Sequence, residues 1–157
     1  MTVALAENQI APTDDKASRL TTLDQAQAMA EWDVLAKFFE PAIPSTLGRR
    51  TMESVKQFVE DGRSKVVIAW NPDPVAPVIY AAFLIEAEEY SSGKRVFSIA
   101  LCGGGGIEHW GHLYPDFKRM AQELGFDQIE ISGRAGWSKF IGAKEVSRKF
   151  VEELKHG

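Results

Sequence analysis

Apolar residues recur at helical spacing in two segments of the first third of the chain. The first predicted helix begins at Thr21 or Thr22, either of which can cap it, carries Asp24 in its first turn and ends before Pro41. Its apolar positions lie three and four residues apart: Met29, Trp32, Leu35, Ala36 and Phe39. The second helix is predicted to follow a cap at Thr51 and to end at Gly62. Its apolar face comprises Met52, Val55, Phe58 and Val59.

After Gly62 the pattern changes to short segments rich in β-branched and aromatic residues, which is typical of strands. Three such segments are separated by turn clusters at Asn71–Pro74 and Ser91–Lys94. The segments are 65–70 (KVVIAW), 78–89 (VIYAAFLIEAEE) and 95–102 (RVFSIALC). Because the connections are short, the three strands are predicted to form an antiparallel meander.

The second half predicts a crossover helix followed by more sheet. Four glycines, Gly103–Gly106, lead into a helix that ends at Gly125. Residues 128–132 (QIEIS) alternate as a strand does, and a short helix is predicted at 137–141. Residues 145–154 fit a strand and a helix equally well; a strand is favoured because the sheet would otherwise end at an exposed edge. The element order predicts one mixed-sheet α/β domain.

Residues 1–20 show no periodicity and are predicted to form a flexible tail, with a single domain over residues 21–157. The 157-residue chain has a net charge of −4, so a soluble protein without a nucleic-acid partner is expected. The only cysteine, Cys102, excludes an intramolecular disulfide, and no metal is expected. Neither a membrane span nor a signal peptide is predicted.

The glycine run is the strongest chemical signal in the sequence. Glycines between a strand and a helix expose backbone N–H groups beside a helix N-terminus, an arrangement that holds phosphate. The Walker and dinucleotide-binding spacings are both absent. The same four glycines also suit a flexible turn with no ligand, and both interpretations stay open.

The last third contains Gly133, Arg134, Gly136 and Trp137 after a helix that ends in glycine and a short strand. With the element order, this segment resembles the GCN5-related N-acetyltransferase (GNAT) fold. It is most similar to the acetyltransferase-like proteins encoded by tailed bacteriophages. Arg134 and Trp137 suit a partner contact, but also a locked turn with Trp137 in the core.

The resemblance implies that acetyl-coenzyme A binds where the sheet opens after the meander, with its pyrophosphate at Gly103–Gly106. Leu101 stands where the family has Gln or Arg. The family often uses a strand carboxylate as the base, which makes Glu86 and Glu130 catalytic candidates, with Glu88 also on a predicted strand. The usual acid is a later tyrosine, and none follows Tyr114.

The implied function is transfer of an acetyl group from acetyl-coenzyme A to a primary amine. The alternative is a non-catalytic phage virion or assembly component that keeps the fold and acts through protein–protein contacts. Phage virion or host proteins are then the expected partners, and the host cytoplasm or the virion is the expected location. The oligomeric state and the acceptor stay open.

Overall fold

A five-stranded sheet forms the centre of the described chain. The computed structural model describes residues 18–105, 107–132 and 151–156. Within them the strands lie in the sequence order β1 to β5 across the sheet. They are β1 (Arg19–Leu23), β2 (Ser64–Asn71), β3 (Val78–Glu89), β4 (Arg95–Gly104) and β5 (Gln128–Ile131). Neighbours from β1 to β4 are antiparallel, whereas β4 and β5 are parallel. The predicted meander and mixed sheet are confirmed.

Helices cover both faces of this sheet. Three of them precede β2, and the crossover helix between β4 and β5 lies on the opposite face. They are α1 (Gln25–Ala30), α2 (Trp32–Phe39), α3 (Met52–Glu60) and α4 (Tyr114–Glu123). Short 3-10 segments occupy Glu40–Thr46, Ile107–His109 and Gly111–Leu113. No helix in the described ranges is long and apolar enough to cross a membrane.

Each face of the sheet has its own apolar core, which explains why the central strands are apolar at nearly every position. On β2, Val66 and Ile68 pack with α1–α3, whereas Val67 packs with α4. Phe83 on β3 is fully buried and meets Trp110 and Phe117 edge-on, at 4.9 Å between ring centroids in both pairs. Aromatic packing therefore fixes the α4 layer on the sheet.

A β-bulge in β4 reverses which side chains of the strand project from each face of the sheet. Leu101 pairs with Leu84 and Ile99 with Ile85, so Ala100 has no opposite residue on β3. As a result Ile99 belongs to the α4 core, and Leu101 belongs to the α1–α3 core although both have odd numbers. The extra residue shifts the alternation of side chains by one position.

The chain's first element corrects two predictions. Residues 19–23 form a strand, not the start of a helix, and Arg19 and Leu20 therefore do not belong to the predicted tail. The Thr21 hydroxyl accepts a 2.8 Å hydrogen bond from the Trp70 indole of β2 instead of capping a helix. Asp24 is the cap itself, because its carboxylate accepts the Gln27 N–H at 2.7 Å. Residues 1–17 lie outside the described ranges.

The predicted first helix is two helices, α1 and α2, which meet at Glu31. The strand predicted at 145–154 is wrong for residues 151–154, which form neither a strand nor a helix. Residues 145–150 and the short helix predicted at 137–141 lie outside the described ranges. The capped helix after Thr51 is confirmed as α3.

The capping box of α3 offers a direct test of this local structure. The Thr51 hydroxyl accepts the Ser54 N–H at 3.0 Å, and the Ser54 hydroxyl accepts the Thr51 N–H at 2.9 Å. We expect Thr51→Ala to lower the free energy of unfolding by about 1 kcal/mol, because one helix N–H loses its partner. Thr51→Ser keeps the hydroxyl and should lose less than half of that amount in urea unfolding. Equal losses in the two variants would contradict the role of the cap.

Candidate functional site

The parallel pair β4–β5 opens partway along the sheet. Its register runs from Val96↔Gln128 to Ile99↔Ile131, and β5 ends there. β4 continues from Ala100 to Gly104, a length of about 16 Å at 3.3 Å per residue. No described strand pairs with this part of β4 on the β5 side. Its peptide groups on that side form an edge that an extended ligand can pair with.

The glycine run begins as part of β4 and is packed tightly against α2. Gly103 is buried, and a Cβ built on it would lie 1.8 Å from the Phe38 carbonyl oxygen. Backbone therefore meets backbone at this position, which leaves no space for any side chain. This contact places the C-terminal end of α2 directly over the end of β4.

The next two glycines are also used by the fold. Gly104 has φ +117°, and a Cβ there would lie 2.6 Å from the Tyr80 carbonyl oxygen. Gly105 donates its N–H to the same oxygen at 2.7 Å. The segment is therefore a fixed turn, and the Gly105 N–H already has an acceptor within the protein. Phosphate binding by Gly103–Gly106 stays a prediction; Gly106 lies outside the described residues.

The electrostatics at this end of β4 are not strongly positive. Leu101, which stands where the resemblance expects Gln or Arg, is 5% exposed and packs in the α1–α3 core. The exposed Glu108 follows the glycine run, and its carboxylate lies 3.9 Å from His109 Nε2. The open strand edge suits an extended amide-containing ligand, whereas the glycine turn offers little charge to an anion.

A row of polar residues crosses the sheet just before the opening. Ser64, Glu86, Ser98 and Glu130 pair with one another in sequence on β2, β3, β4 and β5. Directly paired residues project from the same face of a sheet, so the two predicted carboxylates share one face. That face is the one covered by α1–α3, because Val66 and Leu84 project from it.

Glu86 is held in a two-pronged ion pair with Arg50. The two guanidinium nitrogens lie 2.6 and 3.1 Å from the two carboxylate oxygens, and the Ser64 hydroxyl donates at 2.9 Å. Burial alone would raise the pKa of Glu86, but the hydrogen bonds from Arg50 and Ser64 and the charge of Arg50 outweigh it, so this pKa is lowered. A carboxylate with a lowered pKa and occupied oxygens is a weak general base.

Glu130 has a different environment, because it is exposed and makes no ion pair among the described residues. The Ser98 hydroxyl donates to its Oε1 at 3.4 Å, and the Tyr90 hydroxyl lies 3.3 Å from its Oε2. The same Tyr90 hydroxyl lies 3.2 Å from Glu88 Oε2. We call these side chains the acidic cluster: Glu88, Tyr90, Ser98 and Glu130. They come from β3, β4, β5 and the turn between β3 and β4.

Tyr90 is the residue that the sequence interpretation missed. The charges of Glu130 and then Glu88 raise the pKa of its phenol above the ordinary value of 10. The phenol therefore carries a proton at neutral pH and can donate it, but it is a weaker acid than a free tyrosine. The signal in the sequence is the alternation of Glu86, Glu88 and Tyr90, three polar side chains on one face of the same strand and its turn.

The remaining predicted site residues, Arg134, Gly136 and Trp137, lie outside the described ranges. Within those ranges, no group of three or more His, Cys, Asp or Glu side chains is arranged to hold a metal ion.

Comparison with known proteins identifies the fold. No protein-family model and no curated protein sequence matches the chain. A solved structure of a probable acetyltransferase is similar, with a TM-score of 0.62 and 15% identity over 88% of this chain and 99% of the other. An aminoglycoside acetyltransferase from an uncultured soil metagenomic sample, in complex with sisomicin, has a TM-score of 0.60 and 15% identity, over 90% and 99% of the two chains.

A third similar structure is a ribosomal-protein-alanine N-acetyltransferase from Brucella melitensis biovar Abortus 2308. It has a TM-score of 0.57 and 13% identity, over 88% of this chain and 99% of its own. At these identities the comparisons show the fold, which is that of the GNAT acetyltransferases. Nothing in the comparisons bears on the predicted bacteriophage context.

Gly103 provides a test of the close contact between α2 and β4. We expect Gly103→Ala to lower the free energy of unfolding by roughly 3 kcal/mol, because the added methyl group meets the Phe38 backbone and cannot be accommodated by a rotamer change. Gly105→Ala is the matched control, since its Cβ would lie 3.3 Å from the Tyr80 carbonyl oxygen, a tight contact that needs a far smaller shift than the 1.8 Å contact at Gly103. Urea unfolding of both variants decides the matter, and equal stability would contradict the contact.

The ion pair of Glu86 predicts a specific dependence of stability on pH. Its folded-state pKa lies below the ordinary value of 4.5, so its stabilising contribution is present above that pH and is lost as the pH falls through the folded-state pKa. We expect Glu86→Gln to cost about 2 kcal/mol at pH 7 and progressively less below pH 4.5. Glu89→Gln changes an exposed neighbour and should keep the wild-type dependence of the free energy of unfolding on pH below pH 4.5. Parallel curves for wild type and Glu86→Gln would refute the interpretation.

Proposed function

We propose that this protein is an N-acetyltransferase that binds acetyl-coenzyme A along the open edge of β4 and an amine at the acidic cluster. The observation that carries the proposal is the parting of β4 from β5 after Ile99↔Ile131 in a sheet of GNAT topology. The bulge at Ala100 occurs at the same point, directly after the last β4–β5 pair.

The donor would be held mainly by backbone. The amide groups of its pantetheine arm suit the β5 side of β4 between Ala100 and Gly104, where no described strand pairs with it, which supports binding at this edge. The pyrophosphate would lie beyond Gly105, whose own N–H is occupied by the Tyr80 carbonyl. The structure therefore fits the arm of the donor better than its charged end, and modest affinity is expected.

The acidic cluster lies beside the beginning of this edge. Glu130 pairs with Ser98, one position before the last β4–β5 pair. The exposed carboxylates of Glu88 and Glu130 attract a protonated amine, and Glu130 is the better base because Glu86 is neutralised by Arg50. Tyr90 keeps its proton and can deliver it to the departing sulfur.

The proposed reaction balances with these two groups. Glu130 removes a proton from the ammonium, the amine nitrogen forms a bond to the acetyl carbon, and the carbon–sulfur bond breaks. The thiol of coenzyme A leaves with the proton that Tyr90 supplies, the amine nitrogen gives its second proton back to Tyr90 as the amide forms, and Glu130 releases the first proton to solvent. Holding the two reactants side by side on one sheet edge supplies the proximity that the reaction needs.

Acceptor amines are chosen for testing from the names of structurally similar enzymes. These enzymes are an aminoglycoside acetyltransferase in complex with sisomicin, a ribosomal-protein-alanine N-acetyltransferase and a glucosamine-6-phosphate N-acetyltransferase from Arabidopsis thaliana. The acidity of the cluster favours a polycationic amine such as sisomicin over glucosamine 6-phosphate, whose phosphate the carboxylates would repel.

Calorimetric titration with acetyl-coenzyme A tests the donor site. We expect binding with a Kd on the order of 10–100 μM, weakened about tenfold or more in Gly105→Glu, which adds a carboxylate beside the proposed pyrophosphate position. Gly105→Ala controls for the backbone contact with Tyr80 and should bind like wild type. Absence of wild-type binding at about 1 mM donor would remove the enzymatic proposal.

Release of the coenzyme A thiol tests the acidic cluster. It is measured with each acceptor taken from those enzyme names: sisomicin, a ribosomal-protein alanine and glucosamine 6-phosphate. We expect Glu130→Gln and Tyr90→Phe each to lower the rate about 100-fold, with the affinity for acetyl-coenzyme A unchanged. Glu89→Gln is the control, because Glu89 neighbours the cluster in sequence but lies on the other face of β3. Wild-type rates in both cluster variants would remove Glu130 and Tyr90 from the reaction.

The second candidate function is the non-catalytic phage virion or assembly component. It is favoured by one observation, the internal hydrogen bond of Gly105, because a scaffold has no need to keep loop N–H groups available. This candidate gains if the titration shows no donor binding while the protein forms a stable complex with a virion protein. Micromolar donor binding together with thiol release dependent on Glu130 would exclude it.

A further inference from the structure

A pocket lies on the face of the sheet that α4 covers, which is opposite to the face of the acidic cluster. It has a volume of about 310 Å³ and an apolar floor formed by Val67, Ile85 and Phe97. Met120 and Phe126 line its wall beside α4. α4 ends at Glu123, and the chain returns to the sheet at Phe126. The pocket lies where the start of β2, the end of β3 and the start of β4 are only partly covered.

Three cations surround this apolar pocket. Arg63, Lys65 and Arg95 are all among its lining residues, which include no carboxylate. Such a cluster is notable on a chain of net charge −4. Within the described ranges the side chain of Lys65 makes no hydrogen bond or ion pair, so its ammonium group is available to a ligand.

The two arginines are held in place by aromatic rings. Arg95 donates to the Gly125 carbonyl at 3.2 Å, and its guanidinium lies 4.8 Å from the centre of the Phe126 ring. Arg63 lies 4.9 Å from the centre of the Phe58 ring, with Asp61 3.5 Å away. Their positions at the rim are therefore partly preorganised.

We propose that this pocket binds a small apolar monocarboxylate, with its hydrocarbon part on the Phe97 floor and its carboxylate among Lys65, Arg63 and Arg95. The volume equals that of about ten water molecules at 30 Å³ each, which matches a ligand of about ten non-hydrogen atoms. An apolar cavity with a few convergent polar groups is the usual form of a small-molecule site. The carboxylate is ionised at neutral pH and complements the cations.

This pocket is separate from the proposed acetyl-transfer site. Ala87 and Phe97, which line it, form a pair that projects from the α4 face, whereas the neighbouring Glu86 and Ser98 project from the α1–α3 face. Binding there requires neither acetyl-coenzyme A nor the acidic cluster. Failure of the carboxylate to bind would therefore leave the acetyl-transfer proposal unaffected, and failure of acetyl transfer would leave this pocket unaffected.

Calorimetric titration with sodium octanoate is the first test, since octanoate has ten non-hydrogen atoms. We expect a Kd on the order of 0.1–1 mM, with 1-octanol binding at least about fivefold more weakly and octylamine not binding. Equal affinity for octanoate and octanol would overturn carboxylate recognition. Absence of octanoate binding at about 10 mM would overturn the site itself.

Two substitutions locate the ligand in the pocket. Lys65→Glu should weaken octanoate binding about tenfold, whereas Lys56→Glu, which makes the same change in net charge on the exposed side of α3, should leave it unchanged. Ala87→Phe fills the floor of the pocket and should abolish binding without changing the melting temperature by more than a few degrees. Equal effects of Lys65→Glu and Lys56→Glu would overturn the proposal even if Ala87→Phe fails to fold.

The methyl resonance of Met120 reports on the pocket directly. Its sulfur lies 3.7 Å from the Thr22 hydroxyl, so the side chain spans the pocket from α4 toward β1. We expect saturating octanoate to shift the Met120 methyl signal, assigned by its loss in Met120→Leu, and to leave that of Met52 unchanged. Shifts of both signals, or of neither, would overturn the location.

Discussion

The structure depends on one extra residue in β4. Ala100 has no opposite residue on β3, so the strand changes the face of each side chain at this point. Ile99 then reaches the α4 core and Leu101 the α1–α3 core, and both are buried. The same point is where β5 ends, so residues 100–104 of β4 keep their pairing with β3 and have no described strand on the β5 side. The division of β4 between the two apolar cores therefore depends on a single irregularity of register, and the open edge begins at the same position.

The glycines have a structural purpose that is distinct from ligand binding. Gly103 lets the α2 backbone lie against β4, and Gly104 and Gly105 turn the chain around the Tyr80 carbonyl oxygen. Tyr80 itself is an extra residue on β3, since Ala69 pairs with Ala81 and Trp70 with Ile79. The irregular position on β3 thus meets the glycine turn, and its carbonyl oxygen fixes the direction in which the chain leaves β4.

Sequence patterns predicted what depends on neighbouring residues and missed what depends on pairing. The bounds of β3 and the cap of α3 follow from alternation and capping chemistry, and both are found as predicted. β1 was missed because Thr21 and Thr22 are good caps in isolation; the bond from Trp70 to Thr21 forms only in the sheet. Two carboxylates were predicted correctly as strand residues, but the partners that distinguish them, Arg50 for Glu86 and Tyr90 for Glu130, come from elsewhere in the chain.

The short length of β5 has a consequence for the acidic cluster. Ser98 is paired on both sides, with Glu86 and Glu130, whereas Glu130 is carried by a four-residue strand whose described pairing is to β4 alone. Such edge segments open locally at a lower free energy than central strands do. The cluster therefore links a central strand to an edge strand that opens more easily. Its geometry is coupled to the local opening equilibrium of β5. Whatever binds across the cluster stabilises that edge by mass action.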